Sequence, residues 1–160
     1  MDKEFKIKGL MMDPLTNSPI VILQEIQEGT LLPIWVGIFE ANAIALQIER
    51  VDTPRPMTHD LLKNVLMQLN AEVEKIVVTD LRDNTFYALI HLRLGVEAVT
   101  IDSRPSDAIA LALRTDSPIF VTESVIDSSR NLTLTKEKLD PEDVRKWLEN
   151  LNPDDLGYKM

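Results

Sequence analysis

The chain has 160 residues, 44% of them hydrophobic and 27% charged, a balance that sets it among ordinary globular domains and excludes wholesale disorder. It contains no cysteine and two histidines, His59 and His91, so disulfides, thiol nucleophiles, Cys-ligated zinc, iron–sulfur clusters and all-His metal sites are excluded. Seventeen Lys and Arg against 26 Asp and Glu leave a formal charge of −9, so no broad basic field is available and any contact with nucleic acid must be local.

The first elements alternate in hydrophobicity as strands do, at 4–12, 19–24 and 31–36, with the turn Asp13-Pro14-Leu15-Thr16-Asn17-Ser18-Pro19 between the first two. Spacing then turns helical over 38–50, where Ile38, Ala41, Ile44, Ala45 and Ile48 form a stripe. Pro54 and Pro56 make 51–57 an extended connector. Thr58 is placed to cap a helix over 58–70, whose Leu61, Leu62, Val65, Leu66 and Leu69 are expected to face the core. Strands are expected at 73–81, 85–94 and 96–102, a helix at 105–114 with Pro105 in its first turn, and a short strand at 119–121. An irregular stretch follows, then a final helix over 140–151 capped by Asp140. No apolar run approaches the ~20 residues needed to span a bilayer, and the N-terminal residues are too charged for a signal peptide. A soluble, cytoplasmic protein is expected, with no membrane contact.

Within this order lies a repeat. Ala43-Ile44-Ala45-Leu46 recurs as Ala108-Ile109-Ala110-Leu111, and at the same offset a strand overlays a strand and a helix overlays a helix. The unit is strand–strand–strand–helix, with copy one at about 4–50 and copy two at about 73–114, and helix 58–70 inserted between them. Neither copy can bury its sheet face alone. The expectation is an α+β fold in which two copies pair about a pseudo-two-fold. One domain covers 1–135, followed by a C-terminal helix and tail over 136–160.

Duplication lets one copy serve as control for the other. The corner before the second helix reads Asp102-Ser103-Arg104-Pro105-Ser106-Asp107, whereas the first corner, Gly37-Ile38-Phe39-Glu40-Ala41-Asn42, is nearly neutral. Asp102 and Asp107 suit a hard metal ion, with Glu40 able to face the same cleft, and Arg104 suits a phosphate. The same residues also serve as a cap, a first-turn acid and an ion pair, so both readings stay open. A second cluster, Arg55, His59 and Asp60, lies at the connector and the start of the next helix, where a base with its orienting partner, a metal pair and a capped helix start all fit. The two clusters are expected to share one cleft.

Several segments carry a resemblance. Leu32-Pro33-Ile34-Trp35-Val36-Gly37, Pro54-Arg55-Pro56-x-Thr58-His59-Asp60-Leu61-Leu62, Asp83-Asn84-Thr85-Phe86-Tyr87-Ala88 and Asp102-Ser103-Arg104-Pro105-Ser106-Asp107-Ala108-Ile109-Ala110-Leu111-Ala112 are similar to the bifunctional nuclease family over about residues 5–130. The resemblance implies degradation of RNA and DNA, an α+β fold and homo-oligomers, commonly dimers. It brings no agreed catalytic residue. Two functions compete. One is a nuclease with Mg²⁺ or Mn²⁺ on Asp102, Asp107 and Glu40, His59 and Asp60 in acid–base roles, and Arg55 and Arg104 on phosphate oxygens. The other is a non-enzymatic dimeric module that binds a partner protein or an anionic ligand.

Overall fold

The computed structural model describes residues 1–135, and the helix expected over 140–151 lies outside them. Two antiparallel meanders form, β1 (Asp2–Met12), β2 (Pro19–Glu25) and β3 (Leu31–Trp35), then β4 (Ala71–Arg82), β5 (Thr85–Leu94) and β6 (Glu97–Ser103). Each leads into a helix, α1 (Ile38–Ile48) and α3 (Pro105–Thr115), and α2 (Thr58–Gln68) lies between. The β4–β5 turn uses Asp83 and Asn84, both at positive φ, the conformation that a two-residue hairpin of matching twist requires.

The meanders are joined by the late strand β7 (Ile119–Thr122), antiparallel to β1 and parallel to β4, giving one sheet in the order β3-β2-β1-β7-β4-β5-β6. This is an α+β fold. Helices α1 and α3 pack on each other over one sheet face, with Ile44, Ala45, Ile109 and Leu111 meeting Val21, Ile34, Ile76, Val78 and Ile90. Small residues Ala108, Ala110 and Ala112 let α3 lie close to the strands.

Three expectations change. The duplicated sheet is expected to leave edges along 73–81 and 96–102, but β4 is interior, and among the described residues the sheet ends at β6 and at β3. The stretch read as irregular contains α4 (Glu123–Thr135), where Val125, Ile126 and Ser129 are buried against the core. Its Ser- and Thr-rich sequence has weak helix propensity, and tertiary packing overrides that preference. Finally, α2 docks against α3 and β4 with its apolar stripe turned outward: Leu61 is 57% exposed, Val65 45% and Leu69 65%, and Leu66 alone of the stripe packs on the core. With α1 and α3 already covering the sheet, α2 has little apolar surface to meet, and its one buried residue is His59.

Candidate active site

The two strand-to-helix corners meet. Arg104 is the N-cap residue of helix α3, and no side chain caps the helix. The Ser103 hydroxyl expected as a cap donates instead to the Arg104 carbonyl at 2.8 Å. Arg104 reaches across to the first turn of α1, where Nη1 stands 2.8 Å from Glu40 Oε1, while Nε donates to Asp107 Oδ2 at 2.9 Å. Gly37 makes room for that arrangement, since a Cβ built there would stand 2.2 Å from Glu40 Oε2. Helix α2 then brings in His59, whose Nε2–H donates to Asp107 Oδ1 at 2.8 Å. The two charged clusters therefore join at one point. With Nε2–H given to a carboxylate, the neutral imidazole carries its lone pair on Nδ1. A cavity of about 700 Å³ opens beside this group, lined by Ile38, Phe39, Met57, His59, Arg104 and Asp107 among others.

Asp60 is used differently. Its Oδ2 accepts the Met57 N–H at 2.9 Å, so the N-cap of α2 is Met57 and not Thr58, with Asp60 reaching back from the third helical position. Its Oδ1 accepts Arg114 Nε at 2.7 Å. Arg114 is buried and also donates to the carbonyls of Ala110 and Ala43, both at 2.9 Å, so one guanidinium ties α1, α2 and α3 together. Sequence reading overlooked Arg114, because a cation in the last turn of a helix reads as ordinary complement to the helix dipole. No local signal pairs it with a residue 54 positions away.

Two expected site residues stay outside the constellation. Arg55 is exposed in the connector, where its carbonyl accepts the Thr53 hydroxyl. Asp102 pairs across the ladder with Leu89, between the Ala88 and Ile90 positions whose side chains enter the helix-side core. Strand alternation thus places Asp102 on the sheet face away from Asp107. Among the described residues, no group of three or more His, Asp or Glu is arranged to hold a metal ion. The remaining expected ligands, Glu40 and Asp107, are both bound by Arg104, so the donor set as arranged does not fit Mg²⁺ or Mn²⁺.

Burial pushes the Asp107 carboxyl up, but hydrogen bonds from His59 and Arg104, with their charge, outweigh it and hold the group below its ordinary 3.8. For Asp60 burial is likewise outweighed, by the Met57 N–H and by Arg114, and it too is held below 3.8. Asp107 and then Glu40 push Arg104 up, so it stays a cation. A carboxyl whose folded value is depressed adds stability that is fully present above its unfolded value and lost as pH falls through the folded one. Melting temperature is therefore expected to be level above about pH 5 and to fall below about pH 4, with a shallower fall in Asp107→Asn. An equal slope in the variant would show that Asp107 has no such linkage.

Comparison with known proteins points one way. A family profile described as the bifunctional nuclease domain matches residues 21–133. An uncharacterised protein of Mycobacterium tuberculosis (strain CDC 1551) is 32% identical, with 96% of this chain and 97% of that protein covered. Bifunctional nuclease 2 of Arabidopsis thaliana is 29% identical over 77% of this chain, and bifunctional nuclease 1 of Oryza sativa subsp. indica is 25% identical over 72%. The chain spans 38% and 36% of the length of those two plant proteins.

Proposed function

Since the chain belongs to the bifunctional nuclease family, we propose that it hydrolyses phosphodiester bonds of RNA and DNA, using His59 as base and acid, Asp107 as its orienting partner and Arg104 on the phosphate. The observation that carries this reading is the 2.8 Å bond from His59 to Asp107 at the wall of a cavity large enough for a nucleotide. DNA has no 2′-hydroxyl, so one chemistry for both polymers uses water as nucleophile. The water oxygen bonds to phosphorus as the bond to the leaving sugar oxygen breaks. His59 Nδ1 takes the water proton and returns it to that leaving oxygen, while Asp107 stabilises the imidazolium in between. Arg104 has five N–H donors, and its contacts to Asp107 and Glu40 leave donors over for phosphate oxygens. Glu40 and Asp60 position the group, Glu40 through Arg104 and Asp60 through the start of α2. A divalent cation enters this site only by displacing Arg104, and no step here is routed through one.

Asp107→Asn tests the arrangement. Asn42, at the matching place in α1, shows that the amide is tolerated at such a corner. Cleavage is expected to fall by roughly 10²-fold as the imidazolium loses its counter-charge, at a stability cost of about 1 kcal/mol. Purified protein is assayed on single-stranded and duplex RNA and DNA, with Mn²⁺ and with chelator. Unchanged cleavage per folded molecule would remove Asp107 from the machinery.

The outward apolar face of α2 supports a second proposal, that the protein is a homodimer with Leu61, Val65 and Leu69 at the contact. Light scattering at micromolar protein is expected to give twice the chain mass, and Val65→Glu to give the monomer. A monomeric wild type would defeat it. No described helix is long and apolar enough to cross a membrane. A cysteine-free chain acting on RNA and DNA suits the cytoplasm.

A further inference from the structure

Arg104 also lines a second cavity, of about 410 Å³, where the β3–α1 corner, the β4–β5 hairpin and the start of α3 come together. Ser18, Trp35, Asn84, Phe86, Arg104 and Ser106 are among its walls, and no described carboxylate is. In a chain with 26 acids that is an unusual surface, and Arg104 is the charged group on it. Three of the segments that carry the family resemblance converge here, although the cleavage chemistry above draws on Arg104 alone among these wall residues.

Two independent observations indicate an anion. Helix α3 begins without a capping side chain, and its first residue, Pro105, has no N–H, so the amides of Ser106 and Asp107 in the first turn have no acceptor within the helix. Ser106 is 6% exposed, and its hydroxyl makes no hydrogen bond to any described residue. The residue is packed in while it lines the cavity, so at this helix start its unpartnered hydroxyl is a donor in place for a ligand oxygen. The lining also includes Trp35 and Phe86, apolar ring surface of the kind that takes a base, with Asn84 for polar contacts. The volume lies in the lower part of the range for small-ligand pockets, roughly 300–1,000 Å³.

We propose that this cavity binds a nucleoside monophosphate, with the phosphate on Ser106, Arg104 and the α3 amides and the base against Trp35 and Phe86. The ligand is either a free nucleotide or the phosphorylated end of a strand. The strand source rests on the nuclease reading, because Arg104 lines both cavities and a chain crossing it would present its next phosphate to His59.

Calorimetric titration of the full chain tests this with 5′-AMP, 3′-AMP, adenosine, inorganic phosphate and a 5′-phosphorylated trithymidylate. At least one phosphorylated nucleotide probe is expected to bind with a Kd below about 1 mM, and adenosine and phosphate at least about 10-fold more weakly. Ser106→Ala is expected to weaken that binding about 10-fold or more, the effect of one hydrogen bond to a charged group, with the melting temperature unchanged. Binding of AMP identifies the free nucleotide, and binding of the trithymidylate alone identifies the strand end. The absence of binding by every nucleotide probe overturns the proposal. So does adenosine or phosphate matching AMP on the wild type, a comparison that needs no variant, or full affinity in Ser106→Ala. His59→Gln separates the two readings: it is expected to lose cleavage and keep nucleotide affinity. Cleavage failing in the wild type while AMP binds would remove the nuclease reading and leave this site.

Discussion

Replacing His59 by Gln is expected to lower cleavage by 10²–10⁴-fold, about the full contribution of one positioned acid–base group. Gln keeps an amide N–H for Asp107, so the contact at 2.8 Å has a neutral substitute and the helix start need not move. What it removes is the nitrogen that takes the water proton. The loss should appear in kcat on RNA and DNA alike, since both polymers meet the same base. Two measurements on one preparation decide the matter, melting temperature and cleavage rate. A melting temperature close to that of the wild type, with cleavage lost, is the expected result. Cleavage within about tenfold of the wild-type rate in a folded variant would assign the base to another group.

The largest stability effect is expected from Arg114. Its side chain is 3% exposed, and it serves Asp60, Ala110 and Ala43 together. Arg114→Met keeps much of the volume and removes every donor. The Asp60 carboxylate and the Ala43 carbonyl then lose their partner in a part-buried setting, and about 3 kcal/mol of stability should go with them. For a domain of this length that is roughly 6–12 °C in melting temperature. Adding Asp60→Asn should restore part of the loss, because a neutral amide is cheaper to leave unpaired and still accepts the Met57 N–H. Cleavage should also fall in Arg114→Met although the residue touches no substrate, since Asp60 adjoins His59 on the same helix turn. A change under about 0.5 kcal/mol would show that the three helices are held without this guanidinium.

How much of this was legible beforehand follows the range of the interactions. Alternation and helical spacing are local properties of the chain, and they located β1 to β7 and α1 to α3 within a few residues. Contrast between the two corners singled out Arg104, Asp107 and Glu40, and proline with charge singled out the start of α2. These residues do meet. Which face each side chain takes was not legible, because it depends on register and on what is already covered. Asp102 lies in the same hexapeptide as Asp107, yet ladder parity sends it to the opposite side of the sheet. Leu61 and Val65 satisfy every rule for a core stripe, but α1 and α3 occupy the sheet first, and α2 buries His59 instead. Helix α4 forms against its own weak propensity because β4 and β7 offer it a face to cover. Composition and periodicity by themselves determined that this is a cysteine-free, acidic α+β chain, and its motifs determined where its chemistry gathers. Only the tertiary structure decided the pairing of Arg114 with Asp60 and of His59 with Asp107, since a charge finds its partner through space and the sequence between them carries no record of the distance.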